Sequence, residues 1–130
     1  MGKGRFSHFV VLAGMRTGSN LLERTLNSVE GVTCHGELFN PVFVGRPKYD
    51  KYLGVSQAER DLAPLDLLTA MTREGGDFPG YRHFEDHDIR ALDHVLSDPA
   101  CAKVVLTRNP IDSYVSLKLA RMSGQWMLTT

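Results

Sequence analysis

The feature that most constrains the fold is an apolar segment followed at once by a polar turn and a helical pattern. Residues 10–20 read V-V-L-A-G-M-R-T-G-S-N, and residues 21–26 continue with leucines at helical spacing. Where a helix begins after a strand, its unpaired backbone N–H groups and the positive end of its dipole attract anions. The segment therefore predicts a phosphate or sulfate site, although an ordinary turn closed by a Ser or Asn cap gives the same pattern. The residues of the predicted site are Arg16, Thr17, Gly18, Ser19 and Asn20.

A second segment, residues 103–116, repeats the order of strand, basic turn and helix. Arg108 follows a short apolar strand, and Pro110 suits the first position of a helix. On that helix Ser116 shares a face with Asp112. Arg108 and Ser116 could therefore hold one phosphate between them. The alternative is a surface ion pair of Arg108 with Asp112 and no role for Ser116.

Strand and helix patterns alternate along the rest of the chain. This order predicts an α/β fold, a P-loop-like three-layer α/β/α arrangement with a mostly parallel sheet, in one domain over residues 1–130. Ser56 and Glu59 form a capping-box pattern that opens a helical stretch toward Thr72, broken or kinked near Pro64. The predicted strands are residues 9–13, 32–35, 78–84 and 103–107, and a further helix covers residues 88–96.

Two of the predicted helices are amphipathic, and their spacing indicates which side chains face the sheet. In the first helix the polar residues are expected on the solvent side. The inward residues are Leu21, Leu22, Leu26 and Val29 in the first helix and Ile89, Leu92, Val95 and Leu96 in the last, and the outward residues of the first helix are Glu23, Arg24 and Asn27.

Charge and cysteine content exclude several classes of function. Fifteen basic and fifteen acidic residues cancel, so no overall field favours nucleic acid or an acidic membrane. Cys34 and Cys101 are isolated, and neither an apolar signal segment nor a membrane-spanning run is present, so a cytoplasmic location is expected. No metal site is expected, because residues 83–87 lack a recognised zinc spacing.

Four ordered segments resemble the sulfotransferase family, and most closely its bacterial carbohydrate branch of nodulation-factor and trehalose sulfotransferases. They read M-R-T-G-S-N at residues 15–20, C-H-G-E-L-F-N-P at 34–41, G-Y-R-H-F at 80–84 and T-R-N-P-I-D-S-Y-V-S-L-K-L-A-R at 107–121. The resemblance covers the amino-terminal half of such enzymes. It implies that the domain is incomplete at its carboxyl end.

The resemblance also implies a co-substrate, 3'-phosphoadenosine-5'-phosphosulfate (PAPS). The first turn would bind its 5'-phosphosulfate, and Arg108 with Ser116 its 3'-phosphate, leaving adenosine 3',5'-bisphosphate as product. Arg16 stands where many family members carry Lys. Because a guanidinium stays protonated, Arg16 would stabilise charge on the bridging oxygen without donating a proton.

The acceptor implied by the resemblance is a hydroxyl of a carbohydrate or glycolipid, and its proton needs a base. Glu37 follows the second strand, where partial shielding from water is expected to raise its pKa toward that task. His35 is the alternative base, and the alternative role for Glu37 is a capping or ion-pairing carboxylate. The resemblance makes the loop of residues 41–54 a candidate acceptor-site wall or lid, and the alternative is a flexible surface connection. Aromatic residues there or nearby could stack on a sugar or simply pack, namely Phe39, Phe43, Tyr49 and Tyr52.

Two other functions remain open at this point. A non-catalytic or degenerate fragment would keep the nucleotide site without the segments that complete an enzyme. A phosphate-loop kinase or NTPase is less favoured, because residues 14–20 lack the Gly-Lys-Ser/Thr ending that binds phosphates and magnesium. An exposed carboxyl-terminal helix is also expected, through which the chain could form a homo-oligomer.

Overall fold

The chain forms eight strands and four helices in the part that the structure describes. The structure is a computed structural model that describes residues 6–14, 18–109, 114–121 and 124–129, with side chains as far as Leu106. In chain order the elements are β1 (His8–Ala13), α1 (Ser19–Asn27), β2 (Val32–Cys34), β3 (Lys51–Tyr52), β4 (Val55–Ser56), α2 (Gln57–Leu62), α3 (Pro64–Glu74), β5 (Phe78–His83), α4 (Ile89–Ser97), β6 (Cys101–Asn109), β7 (Tyr114–Arg121) and β8 (Gly124–Thr129).

The central sheet has six strands in the order β2-β5-β1-β6-β7-β8. The first four are parallel, whereas β7 and β8 continue the sheet as antiparallel neighbours. Strands β3 and β4 form a separate short hairpin. The predicted mostly parallel sheet is confirmed. Because β1 lies between β5 and β6 and runs parallel to both, the carboxyl ends of these three strands meet at one edge of the sheet.

Helices cover both faces of the sheet. On one face Val10 and Tyr81 pack with Leu67 and Met71 of α3 and Val95 of α4, all fully buried. On the opposite face a second apolar cluster includes residues of β1, β2 and β6, and α1 packs against it; its members include Phe9, Val11, Cys34, Ala102, Val104, Leu22 and Leu26. The predicted three-layer α/β/α arrangement is therefore confirmed.

The predicted helical stretch after residue 56 is confirmed as two helices. The Ser56 hydroxyl accepts from the backbone N–H of Glu59, and the Glu59 carboxylate accepts from the backbone N–H of Ser56, which is a complete capping box. Pro64 starts α3 at a position where a missing N–H costs nothing. The proline therefore separates α2 from α3, as its sequence position predicted.

The inward face of α1 differs from the prediction. Leu22 and Leu26 pack on the sheet, but Leu21 is 62% exposed and Glu23 only 5% exposed. The reason is charge pairing, because Arg82 of β5 lies beneath the helix and binds the Glu23 carboxylate. In α4 Leu92 and Val95 face the sheet as predicted, whereas Ile89 and Leu96 are exposed at the two ends of the helix.

The predicted carboxyl-terminal helix is wrong, and two strands stand in its place. In β7 Ser116 pairs with Thr107, and Val115 pairs with Arg108. The physical reason is visible in the pattern, since apolar residues alternate with others at a period of two and satisfy a strand ladder with β6. Pro110 lies outside the described residues. The homo-oligomer expected from the sequence was to form through this helix, and the described residues form strands there instead. The alternating residues are Val115, Leu117 and Leu119 against Ser116, Lys118 and Ala120.

Within the described ranges, none of the four helices is long and apolar enough to cross a bilayer.

Candidate functional site

The candidate site lies at the edge where the parallel strands end. Leu12 of β1 is level with His83 of β5, and Ala13 is level with Leu106 of β6. Helix α1 begins a few residues beyond β1, so its amino terminus faces the same edge. This is where ligands bind in open parallel sheets.

Gly18 forms the amino-terminal cap of α1. Its φ of 85° is left-handed, and its carbonyl accepts from the N–H of Leu22 at 3.1 Å. Among the described residues no side chain caps this helix, so the Ser or Asn cap considered above is not formed. Among the described residues, the first-turn N–H groups thus have no capping side chain, and a helix start of this kind attracts anions. Arg16 and Thr17 lie outside the described residues.

Ser19 is buried at the first position of α1, beside the exposed Asn20. Its Oγ accepts a hydrogen bond of 3.0 Å from Nη1 of Arg82. Because a hydroxyl has one proton and two lone pairs, Ser19 keeps its own O–H to donate. The contact with Arg82 thus fixes the position of the Ser19 oxygen and leaves its proton to donate elsewhere.

Arg82 connects three parts of the site. Its Nε binds Oε1 of Glu23 at 2.5 Å, and its Nη2 lies 3.5 Å from Oε2 of Glu37. With Nη1 on Ser19, one buried guanidinium joins the start of α1, the middle of α1 and the segment after β2. The planar fork of arginine suits such a role, whereas lysine would offer one point of charge.

Glu23 is held by two arginines. Besides Arg82, Nη1 of Arg46 binds Oε2 of Glu23, and Nη2 of Arg46 donates to the carbonyl of Cys34 at 3.2 Å. A buried carboxylate is tolerated only when it is paired and hydrogen-bonded, and Glu23 meets both conditions. The Arg46–Glu23–Arg82 group therefore forms a rigid charged layer under α1.

Glu37 lies at the edge of this charged layer, where its carboxylate contacts Arg82. Gly36, at φ +78°, turns the chain, and Glu37 then pairs with Gly45 through two backbone hydrogen bonds of 2.9 and 3.0 Å. A Cβ at Gly36 would lie 2.1 Å from the Gly45 carbonyl, so glycine is required there. The Glu37 side chain is 19% exposed, which keeps one side of the carboxylate open to solvent or substrate.

The expected rise in the pKa of Glu37 is wrong. The pKa is lowered from its ordinary value, chiefly because His87 hydrogen-bonds the carboxylate, with further help from Asn40 and Arg82 that outweighs burial. Asn40 donates to Oε1 at 2.9 Å, and Nε2 of His87 lies 3.5 Å from the same atom. Glu37 is therefore ionised at neutral pH and ready to accept a proton.

His87 has its tautomer fixed by the backbone. The N–H of Phe84 donates to Nδ1 of His87 at 3.2 Å, so Nδ1 acts as an acceptor and Nε2 carries the N–H that faces Glu37. The His87 ring is buried and stacks on Phe84, with 5.2 Å between ring centroids. His87 therefore orients the Glu37 carboxylate as a fixed donor.

His35, the alternative base, has both ring nitrogens in use. Nε2 donates to the carbonyl of Gly75 at 2.8 Å, which leaves Nδ1 to accept from the Tyr52 hydroxyl at 2.8 Å. Burial lowers its pKa. His35 thus joins the end of α3 to the β3 strand, and neither ring nitrogen is left to accept a further proton from a ligand.

The loop after Glu37 is packed against the body of the protein. Arg60 of α2 is 2% exposed and donates to the carbonyls of Leu38 and Phe43 at 2.9 and 2.8 Å. Phe39 is buried against Tyr81, so it packs rather than offering a stacking surface. These contacts hold the segment from Leu38 to Phe43 against α2.

A comparison with known proteins agrees with this geometry. The chain is similar to Nodulation protein H of Rhizobium tropici, with 29% identity over 125 residues that cover 92% of this chain and 48% of that protein. The motif resemblance is thereby confirmed. The chain spans about half the length of this curated relative, as the resemblance to half an enzyme predicted. No family model matches the chain, and no solved structure matches it.

Four residues of the site were not predicted from the sequence. Each makes its contact through a partner distant in the chain, as Arg82 does with Glu23 59 residues away. The G-Y-R-H-F segment was noted for its resemblance, but nothing local distinguishes its arginine from a surface residue. The signal that could identify Arg82 is its position as a charged residue inside a strand whose neighbouring residues are buried. The four residues are Glu23, Arg46, Arg82 and His87.

His83 gives the folded chain a distinctive response to acid. Burial, and secondarily His87, lower its pKa from 6.5 to about 4. Between pH 4 and pH 6.5 the unfolded chain binds a proton at this residue that the folded chain does not. The contribution of His83 to the free energy of unfolding is therefore complete above pH 6.5 and is lost as the pH falls toward 4. We expect His83→Phe, which cannot titrate, to show a smaller fall in Tm between pH 7 and pH 5 than wild type, measured by circular dichroism. Tyr81→Phe is the control and should keep the wild-type fall; equal falls in all three proteins would contradict this account.

Proposed function

We propose that this chain is the PAPS-binding half of a sulfotransferase that transfers a sulfuryl group to a hydroxyl of a carbohydrate or glycolipid. The observation that carries the proposal is the Arg82 guanidinium, which binds Ser19 at the anion-binding helix terminus and Glu37 beside it. An anion site and a fixed carboxylate are thus held by one side chain. The similarity to Nodulation protein H supports a sulfotransferase-like role.

The proposed co-substrate site has two ends. The first-turn groups at Gly18, Ser19 and Asn20, together with Arg16 and Thr17, bind the 5'-phosphosulfate. Arg108 and Ser116 bind the 3'-phosphate. The resemblance carries this second end. Strand β6 runs past the end of β1, so the backbone of Arg108 lies beyond Leu106 at the same sheet edge. The register pairs Ser116 with Thr107 and Arg108 with Val115, which places Arg108 and Ser116 at alternating positions and adds no support for a phosphate held between them.

The proposed reaction is a direct displacement at sulfur. The acceptor oxygen forms a bond to sulfur while the bond from sulfur to the bridging phosphate oxygen breaks, and the leaving group is adenosine 3',5'-bisphosphate. Glu37 takes the hydroxyl proton as that bond forms, when the hydroxyl becomes acidic enough for a carboxylate of low pKa. Arg16 stabilises charge on the bridging oxygen and keeps its own proton.

The 3'-phosphate site can be tested separately from the reaction. Arg108→Ala combined with Ser116→Ala should weaken binding of adenosine 3',5'-bisphosphate by about tenfold or more, because a charge-assisted pair and a hydroxyl donor are both lost. Lys118→Ala, a cation removed from the same strand, is the matched control and should bind as wild type. Isothermal titration calorimetry measures both. Unchanged binding by the double variant would remove these two residues from the proposal.

The alternative to an enzyme is a non-catalytic module that keeps the nucleotide site. Such a module would bind adenosine 3',5'-bisphosphate but release none from PAPS with any acceptor. Both described cysteines, Cys34 and Cys101, are free and buried, which supports a reducing, cytoplasmic setting for either function.

A further inference from the structure

A cavity of about 310 Å³ lies at the same sheet edge but on the opposite face from Glu23 and Arg82. Successive residues of a strand point to opposite faces, so Arg82 faces α1 whereas His83 faces α4. The volume falls in the range of small-molecule sites. The lining is mostly apolar and includes Leu12, Ala13, Phe84, Leu92 and Leu96. Its two ionisable residues are the buried His83 and Glu85, which is exposed to solvent.

His83 is the buried polar group of this cavity. It is 3% exposed, and among the described residues neither ring nitrogen has a partner at full hydrogen-bond geometry, although the backbone of Asp88 lies near enough to favour its protonated form. A buried polar group without a partner costs free energy, and sites of this kind are often completed by a ligand. Because the pKa of His83 is low, the ring is neutral at pH 7 and offers one donor and one acceptor.

The cavity adjoins the proposed reaction site. The His83 ring lies against the His87 ring, with 5.4 Å between centroids, and His87 in turn contacts Glu37. Ala13 and Gly14, also in the lining, lead into the turn before α1. The cavity is therefore connected to the proposed base through His83 and His87, and to the proposed 5'-phosphosulfate site through Ala13 and Gly14.

We propose that this cavity binds an apolar ring or chain of the acceptor, with one oxygen of the acceptor hydrogen-bonded to His83. The inference rests on the proposed function and narrows it, since it selects a glycolipid or a similar alcohol on an apolar group over a bare carbohydrate. A sugar ring carries several hydroxyls, and burying them against leucine and phenylalanine would leave most without partners. One imidazole satisfies one or two polar atoms, which matches an alcohol with a single buried oxygen.

Two ring compounds of similar size test the ligand class. Cyclohexanol has one hydroxyl, whereas glucose has several. We expect cyclohexanol to shift the methyl NMR signals of Leu12 and Ala13 with a dissociation constant of about 1 mM, and glucose to leave them unchanged at the same concentrations.

Paired variants test the position and the polar contact. Leu96→Trp, at the partly exposed rim, should fill the cavity and weaken cyclohexanol binding by about tenfold, whereas Leu62→Trp, an exposed leucine of α2, should not. His83→Phe keeps the ring shape and removes both nitrogens, so binding should weaken severalfold. Tyr81→Phe removes a nearby unpartnered hydroxyl outside the lining and should bind as wild type.

The outcomes separate this inference from the proposed function. Glucose binding as tightly as cyclohexanol, or cyclohexanol binding unchanged by both Leu96→Trp and His83→Phe, would overturn the cavity assignment. Binding of adenosine 3',5'-bisphosphate is measured on the same samples. If the bisphosphate binds and cyclohexanol does not, the cavity inference fails and the proposed function stands. If cyclohexanol binds and the bisphosphate does not, the apolar site stands but its role as acceptor site fails.

Discussion

Glu37→Gln is expected to lower turnover by about a hundred- to ten-thousandfold while binding of adenosine 3',5'-bisphosphate stays nearly unchanged. Glutamine has the size of glutamate and can still contact Asn40, but it cannot accept a proton at neutral pH. The acceptor hydroxyl would then keep its proton as the bond to sulfur forms. Turnover is measured as bisphosphate released from PAPS, with hexyl glucoside as an acceptor that carries both sugar hydroxyls and an apolar chain.

The control for this variant is Glu30→Gln, which neutralises an exposed carboxylate beyond the end of α1. It should match wild type in both turnover and binding. If Glu37→Gln turned over at the wild-type rate, Glu37 would be an ion-pairing residue and not the base. If it lost bisphosphate binding as well, its effect would be on the fold of the site.

Arg82→Ala is expected to lower the free energy of unfolding by about 3–5 kcal/mol. The variant removes the partner of a buried carboxylate and leaves Glu23, 5% exposed, with Arg46 alone. It also frees Ser19 from the contact that fixes the position of its oxygen. Urea denaturation followed by circular dichroism measures the change, with Tm as a second readout.

Arg90→Ala is the matched control, because Arg90 also binds a carboxylate, that of Asp88, but is exposed to solvent. Its stability should stay close to wild type, since exposed ion pairs contribute little. Because the loss in Arg82→Ala is a large share of the stability of a small domain, Arg82→Lys serves as a second variant. It keeps the charge but not the fork, and it should fold with reduced stability. Wild-type stability in both Arg82 variants would contradict the role assigned to this residue.

The layers of the fold could be predicted because their signals are local. Strand β1 is a continuous apolar run, and the Ser56–Glu59 capping box and Pro64 mark helix boundaries within a few residues. The same local cues misled at the carboxyl end. Pro110 is typical of a helix start, whereas the alternation of apolar residues along β7 is typical of a strand, and β7 pairs with β6. Where two local signals disagree, pairing with a neighbouring strand decides, and that pairing is not visible in either segment alone.

The candidate site was predicted only at the residues that belong to recognisable turns. Gly18 and Ser19 could be placed because a strand-to-helix turn fixes their position. The burial of Glu23 could not, since it depends on Arg46 and Arg82, which are 23 and 59 residues away along the chain. The pKa of Glu37 was misjudged for the same reason, because the donor that lowers it, His87, comes from beyond β5.

Calorimetric titration of the purified, folded chain with adenosine 3',5'-bisphosphate tests the central claim most directly, with ATP and magnesium as the comparison ligand. We predict selective binding of the bisphosphate with a dissociation constant of about 1 μM, which would establish the nucleotide site at the start of α1. Tighter binding of magnesium ATP would instead indicate a kinase or NTPase. No binding of either ligand by a chain that circular dichroism shows to be folded would contradict the proposed function.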